Sequence, residues 1–395
     1  MRRLPIALAF ASLLSTACAS GDAGGAPRWT GTVDTLLSGQ LVVTNTARPL
    51  WPEGSEWQVV EEFRIGSVAG DGPEVFGRIV SFEVDPAGRI WVLESQSQQL
   101  RVFDAAGAFV RTIGRSGGGP GEFAQAVRVE AGPDGHLWVM DPSNNRLSVF
   151  DSAGAYLEGR HALGGFIIIP WPGRFDAQGR YYAPVPLTDG EFRIGMVRYD
   201  AAFAPTDTLD VPRDPVERDR FEHSRGEGRM IAGVPFQGRL QWALSRAGTI
   251  WSLITDRYRL FEIDASGDTL RTITRDFEPI PVTEADREQA REDLDWFVSQ
   301  GGQVDWSRLP DTKPLATSFF LADDGHLWVG LVTPPDSTGS PFDVFDPAGR
   351  YLGTVRLPFL LSRSPAPILR NDVLYGVTLD EMDVPFIVKA RIVRP

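Results

Sequence analysis

Leu100 and Val102, followed by Phe109, Arg111 and Ile113, alternate across a short turn as a half-buried sheet does. The same strand, turn, strand pattern recurs as LRVFDAAGAFVRTIG, LSVFDSAGAYLEG, MVRYDAAFAPTDTL, LFEIDASGDTLRTI and FDVFDPAGRYLGTV. Asp-x-x-Gly turns at 104–107, 151–154, 264–267 and 346–349 suit hairpins that need a positive φ. Phe203 holds the glycine place in the third copy, which predicts a turn built differently there.

A second pattern precedes each of these. VDPAGRIWVLE at 84–94 returns as AGPDGHLWVMD at 131–141, FDAQGRYYAPV from Phe175, LSRAGTIWSLI from Leu244 and LADDGHLWVGL from Leu321. A turn glycine stands three places before Trp91, Trp138, Tyr182, Trp251 and Trp328, and a degenerate copy carries Asp372 and Tyr375 in those slots. Six units result, each a four-stranded antiparallel meander that cannot bury both faces alone, whereas a ring of them can. The predicted fold is therefore all-β, a six-bladed β-propeller with the recurrent aromatic filling the space between blades. EFRIGSVAGDGPEVF at 62–76 reads as an outer strand and connector arriving before any inner strand, and the last unit lacks an outer strand of its own. The N-terminal strand is thus expected to complete the sixth blade and protect its edge.

IGRSGGGPGEF at 113–123 could be mistaken for a phosphate cradle. It repeats the plan of 65–76, and it lacks the helix and Lys-Ser/Thr pair a phosphate loop requires. Its glycines are expected to carry the chain from rim to axis.

Composition narrows the class. Forty-one glycines and thirty prolines fit many turns, and a net charge of -13 excludes a nucleic-acid partner. Arg2 and Arg3 precede the apolar run 4–14, and Ser15-Thr16-Ala17-Cys18 follows. This resembles a bacterial lipoprotein signal, with Ser15 where that pattern prefers leucine. The expected organisation is a signal peptide at 1–18 with lipidation at Cys18, a tether and N-terminal extension at 19–56, and the propeller at 57–395. Cys18 is the single cysteine, so no internal disulfide forms.

Short turns between inner and second strands lie on one face, and long connectors on the other, where function is expected. Connectors lengthen at 160–171, 211–238 and 276–313. The last of these falls in a helical insertion at 276–315 between blades 4 and 5. There Thr283 and Asp286 predict a capped helix whose Ala290, Leu294, Phe297 and Val298 share a face. It is expected to lie across the loop face and partly roof the channel. Arg220, Arg225 and Arg229 in the second connector are candidates for holding an anion there. On the inner strands Glu83 and Glu130 align, with Ser81 and Arg128 two residues before them, facing one side as candidate channel ligands. His136 and His326 share a tight-turn slot and show no metal-binding spacing.

The Gly-Pro-Gly-Glu-Phe connector, the Asp-x-x-Gly run ending in Trp or Tyr, and the Phe-Asp-x-x-Gly turn resemble those of NHL-type six-bladed propellers. The chain resembles in particular the exported bacterial six-bladed propeller lipoproteins, most of which have no assigned activity. This resemblance implies an exported, lipid-anchored monomer, touching the membrane only through its N-terminal lipid. The function expected is binding of a protein, peptide or small ligand at the loop face, and catalysis is not the expectation. The competing class is a metal-assisted hydrolase or lactonase using channel carboxylates; gluconolactonase-like propellers hold calcium with such oxygen donors.

Overall fold

The computed structural model describes residues 28–161, 173–187, 193–215, 217–226, 228–334 and 337–395. Six antiparallel meanders follow one another along the chain. Blade 1 runs through Ile79–Val84, Ile90–Glu94, Gln99–Phe103 and Phe109–Ile113; blade 2 through Arg128–Ala131, Leu137–Asp141, Arg146–Phe150 and Tyr156–His161. Blade 3 comprises Arg174–Phe175, Tyr181–Leu187, Arg193–Tyr199 and Pro205–Asp210, and blade 4 Leu240–Leu244, Ile250–Ile254, Arg259–Ile263 and Thr269–Arg275. Blade 5 is Ala316–Leu321, Leu327–Leu331, Pro341–Phe345 and Tyr351–Arg356. Blade 6 takes Ile368–Arg370, Val373–Leu379 and Pro385–Val393 from the end of the chain and Gln58–Ile65 from its beginning, the closure the sequence predicts.

The core is divided into the seams between blades. Trp91 is buried with Val129 and Phe150 of blade 2, Trp138 with Tyr181 of blade 3, and Tyr182 with Leu244 of blade 4. Trp251 packs with Val329 of blade 5, Trp328 with Leu374 of blade 6, and Tyr375 with Phe82 of blade 1. One aromatic per seam closes the circle, and burying a side chain of this size contributes on the order of 2–3 kcal/mol.

The third hairpin corrects the expectation of a different turn. Phe203 adopts φ +62, the conformation Gly107 and Gly154 hold at +87 and +83, and makes the same backbone bond to the turn aspartate. The unfavourable φ is offset by stacking, for its ring lies 4.9 Å from Tyr199 and 5.6 Å from Trp138.

The glycine-rich crossing is built for geometry. Arg146 binds the carbonyls of Gly118, Gly119 and Glu122, and the N–H of Gly119 donates to the Glu122 carboxylate at 2.8 Å. A phosphate cradle would turn free N–H groups outward; here a protein carboxylate takes one, and a protein cation takes the carbonyls.

Residues 28–57 do more than lead into the ring. Thr32–Thr35 and Leu41–Asn45 extend blade 4 to six strands, the second pairing parallel with Thr269–Arg275. The chain then passes blade 5, where the N–H groups of Leu50 and Trp51 donate to the carbonyls of Tyr351 and Leu352, and Trp57 enters the seam toward blade 6. This belt covers the outer edges of two blades before completing a third.

Both long insertions fold together. Arg220–Arg225 and Gly228–Gly233 form a hairpin, and Phe221 and Ala232 share an apolar cluster with Ala290, Leu294 and Phe297 of the insertion between blades 4 and 5. Thr283 and Asp286 make the expected capping box, and Gly301 sits at φ +97 beyond the helical segment. Val298 departs from the expected face, being 45% exposed, because the helix breaks at Leu294 into Glu284–Asp293 and Asp295–Ser299.

Candidate functional site

Inner strands end in the tight turns, and their side chains converge there around the axis. A cavity of about 630 Å³ opens on this face, lined by residues of blades 1, 2, 3, 4 and 6 that include Glu130, Arg246, Arg370 and Tyr375. The sequence directed attention to the opposite, long-loop face.

Glu83 and Glu130 lie on adjacent inner strands, each eight residues before its blade aromatic. Glu83 is buried; its Oε1 accepts from the Val84 N–H at 3.0 Å and stands 3.7 Å from Arg370 Nη2. Burial, and after it the negative charge of Glu130, raises its pKa above the ordinary carboxylate range, against the pull of Arg370. Glu130 reaches the cavity wall, where its Oε2 accepts from Arg128 Nε at 3.1 Å and its Oε1 from the Phe175 N–H at 3.0 Å. Arg174 approaches that second oxygen to 3.7 Å. Ser81 is engaged differently: its hydroxyl accepts from the Val129 N–H at 3.2 Å, stapling the inner strands of blades 1 and 2.

Four charged groups join this site that the sequence analysis did not single out. Arg174 stands at the same eight-residue offset, before Tyr182, so the alignment that found Glu83 and Glu130 contains it. Burial lowers its pKa, and the charges of Arg128 and Arg246 act the same way while Glu130 opposes them. Arg246 and Asp323 come from the turns of blades 4 and 5, and Arg370 from the end of the inner strand of blade 6. Asp323 Oδ2 accepts from Arg370 Nε at 2.8 Å, and its Oδ1 lies 3.3 Å from Arg246 Nε.

The other candidates lie elsewhere. Arg220 and Arg229 sit on the inserted hairpin, where both pair with Glu222; the side chain of Arg225 and the whole of Cys18 are outside the described residues. His136 and His326 each meet the aspartate two places earlier, at 2.8 and 2.9 Å. Among the described residues no three His, Cys, Asp or Glu side chains gather to hold a metal ion. Glu83 and Glu130 face arginines, so this donor set does not fit calcium.

A family model described as 6-bladed beta-propeller matches residues 76–130. No curated protein matches the chain. Among solved structures, a member of the duf4221 family from Bacteroides vulgatus is similar over 87% of this chain and 100% of its own, at 10% identity and a TM-score of 0.52. Virginiamycin B lyase from Staphylococcus aureus is similar over 86% and 100%, at 10% identity and a TM-score of 0.38. A luciferin-regenerating enzyme is similar over 85% and 95%, at 10% identity and a TM-score of 0.42. The expectation that this protein is not an enzyme is corrected: a propeller layout hosts catalytic and non-catalytic proteins alike and gives no ground for setting catalysis aside.

Proposed function

We propose that the cavity on the tight-turn face is the active site of a hydrolase acting on a small ester or lactone through channel carboxylates. The observation that carries this reading is Glu130, a carboxylate on the cavity wall flanked by arginines and coupled to a second, protonation-prone carboxyl, Glu83. Glu130 takes a proton from a water whose oxygen bonds to the substrate carbonyl carbon. The carbon–oxygen bond to the leaving alkoxide then breaks, and the same proton passes to that alkoxide. Arg128 and Arg174, held beside Glu130, place positive charge where the oxyanion develops. Glu83, behind Val84 and Arg370, is a positioning residue that sets the charge Glu130 experiences. No step is routed through a metal, since among the described residues no donors assemble for one.

The same reading keeps the protein exported and tethered through Cys18, which mass spectrometry of the mature N-terminus tests. No helix among the described residues is long and apolar enough to cross a membrane.

Hydrolysis of p-nitrophenyl acetate and dihydrocoumarin, followed spectroscopically, tests the catalytic assignment. The Glu130→Gln variant is expected to lose on the order of a hundredfold or more in rate while keeping its circular dichroism spectrum. Equal rates in the wild type and the variant, or no turnover above buffer in the wild type, would overturn it.

A further inference from the structure

We infer that the tight-turn cavity selects small organic anions, with Arg246 and Arg370 receiving the acidic group of the ligand. The inference rests on this cavity being the active site and adds the substrate class.

Charge balance is the first argument. Of the charged groups in this ion-pair set, Arg246, Arg370 and Glu130 line the cavity, and behind them stand two further guanidinium groups, Arg128 and Arg174, with two further carboxyl groups, Glu83 and Asp323. The remaining acids on the wall, Asp85 and Asp176, are each bound by their own turn arginine, Arg89 at 2.7 Å and Arg180 at 2.6 Å. Any proton kept by Glu83 enlarges the positive excess. The excess is local, since the whole chain carries -13, and a cavity with low-dielectric walls concentrates such a field.

Geometry is the second argument. Arg246 and Arg370 reach the cavity from blades 4 and 6, with Asp323 of blade 5 bridging them. Arg246 comes closest to Asp323 through Nε, and its side chain is 50% exposed. An arginine so held can offer two parallel N–H groups to an incoming carboxylate. Crowding is the third: Arg128, Arg174 and Arg246 lie near enough for their charges to disfavour one another at Arg174, a repulsion that a bound anion relieves.

Calorimetric titration with succinate, and with dimethyl succinate as the uncharged counterpart, tests the class on the full chain. Succinate is expected to bind, and its diester to bind more weakly. Arg246→Ala should weaken succinate binding tenfold or more, and Arg370→Lys, which keeps the charge in place, should weaken it less. Equal binding of the two compounds, no succinate binding by the wild type, or an unchanged constant in Arg246→Ala would overturn the inference. Uncharged ester hydrolysis without succinate binding would remove the class and leave the catalytic reading. Arg246-dependent succinate binding in a protein that cleaves no ester would do the reverse.

Discussion

The indole Nε1 of Trp91 donates to Asp85 Oδ2 at 3.0 Å, tying the aromatic of blade 1 to the turn that precedes it. Blade 3 repeats the arrangement, Tyr182 donating its hydroxyl to Asp176 at 3.0 Å. Blades 2 and 5 carry Gly132 and Ala322 in the aspartate place, and there the indole N–H groups of Trp138 and Trp328 are buried with no partner. The repeat thus serves two purposes: the ring fills the seam in every blade, while its polar edge is satisfied by the turn aspartate in blades 1 and 3 and has no such acceptor in blades 2 and 5.

Two substitutions test that separation. Asp85→Ala strands a buried indole N–H together with the turn amides of Ala87 and Arg89 that the carboxylate also binds, and should cost about 1–3 kcal/mol in urea unfolding. Ala322→Asp offers Trp328 an acceptor and should raise the melting temperature. An unchanged or lower value would show that the N–H is satisfied by other means.

Glu83 predicts a pH dependence of stability. Its folded-state pKa lies above its ordinary value of 4.5, through burial first and the charge of Glu130 second, with Arg370 and Arg128 opposing. The stabilisation tied to its proton is complete below that value and is lost as pH rises through the raised one. Glu83→Gln should therefore unfold at nearly the wild-type urea midpoint near pH 4 and at a higher midpoint near neutrality. Parallel midpoints across that range would remove the effect.

Asn45 holds the belt. It is fully buried; its Oδ1 accepts from Trp29 Nε1 at 2.9 Å and the Tyr351 N–H at 2.7 Å, and its Nδ2 donates to the carbonyls of Thr274 and Gly349 at 3.1 and 3.0 Å. Asn45→Ala leaves these groups unpaired across three segments, at a cost of roughly 3 kcal/mol or more. Hydrogen exchange should accelerate first in Leu41–Asn45, ahead of the blade 1 strands. Uniform acceleration throughout the ring would argue against a local role.

The ring was legible in the sequence because its determinants are local: a left-handed turn position, an aromatic three places on, and alternation across the following hairpin. The substitution at Phe203 misled because one residue type was read as the requirement, when the backbone conformation was the requirement and stacking on Tyr199 and Trp138 could sustain it. The belt left little trace. Only Val43 and Asn45 of Leu41–Asn45 are buried, Thr32–Thr35 is wholly exposed, and Thr274, Gly349 and Tyr351, which Asn45 binds, lie 229 and more positions away. Alignment of inner strands singled out Glu83, Glu130 and Arg128, which the fold brings together, along with Ser81, which it uses as a staple. Arg174 escaped because its strand is only two residues long, and Arg246, Asp323 and Arg370 because the tight-turn face was read as scaffolding.

Glu62 and Arg391 meet at 2.8 Å across 329 positions of chain, in the blade that both ends share. On a ribosome, the strand Gln58–Ile65 is made early and waits while five blades emerge, for its mate Pro385–Val393 comes last. The circle shuts only once Pro385–Val393 has been made. Until then the nascent chain is an open arc, and a ribosome stalled short of Pro385 would release a bracelet without its clasp.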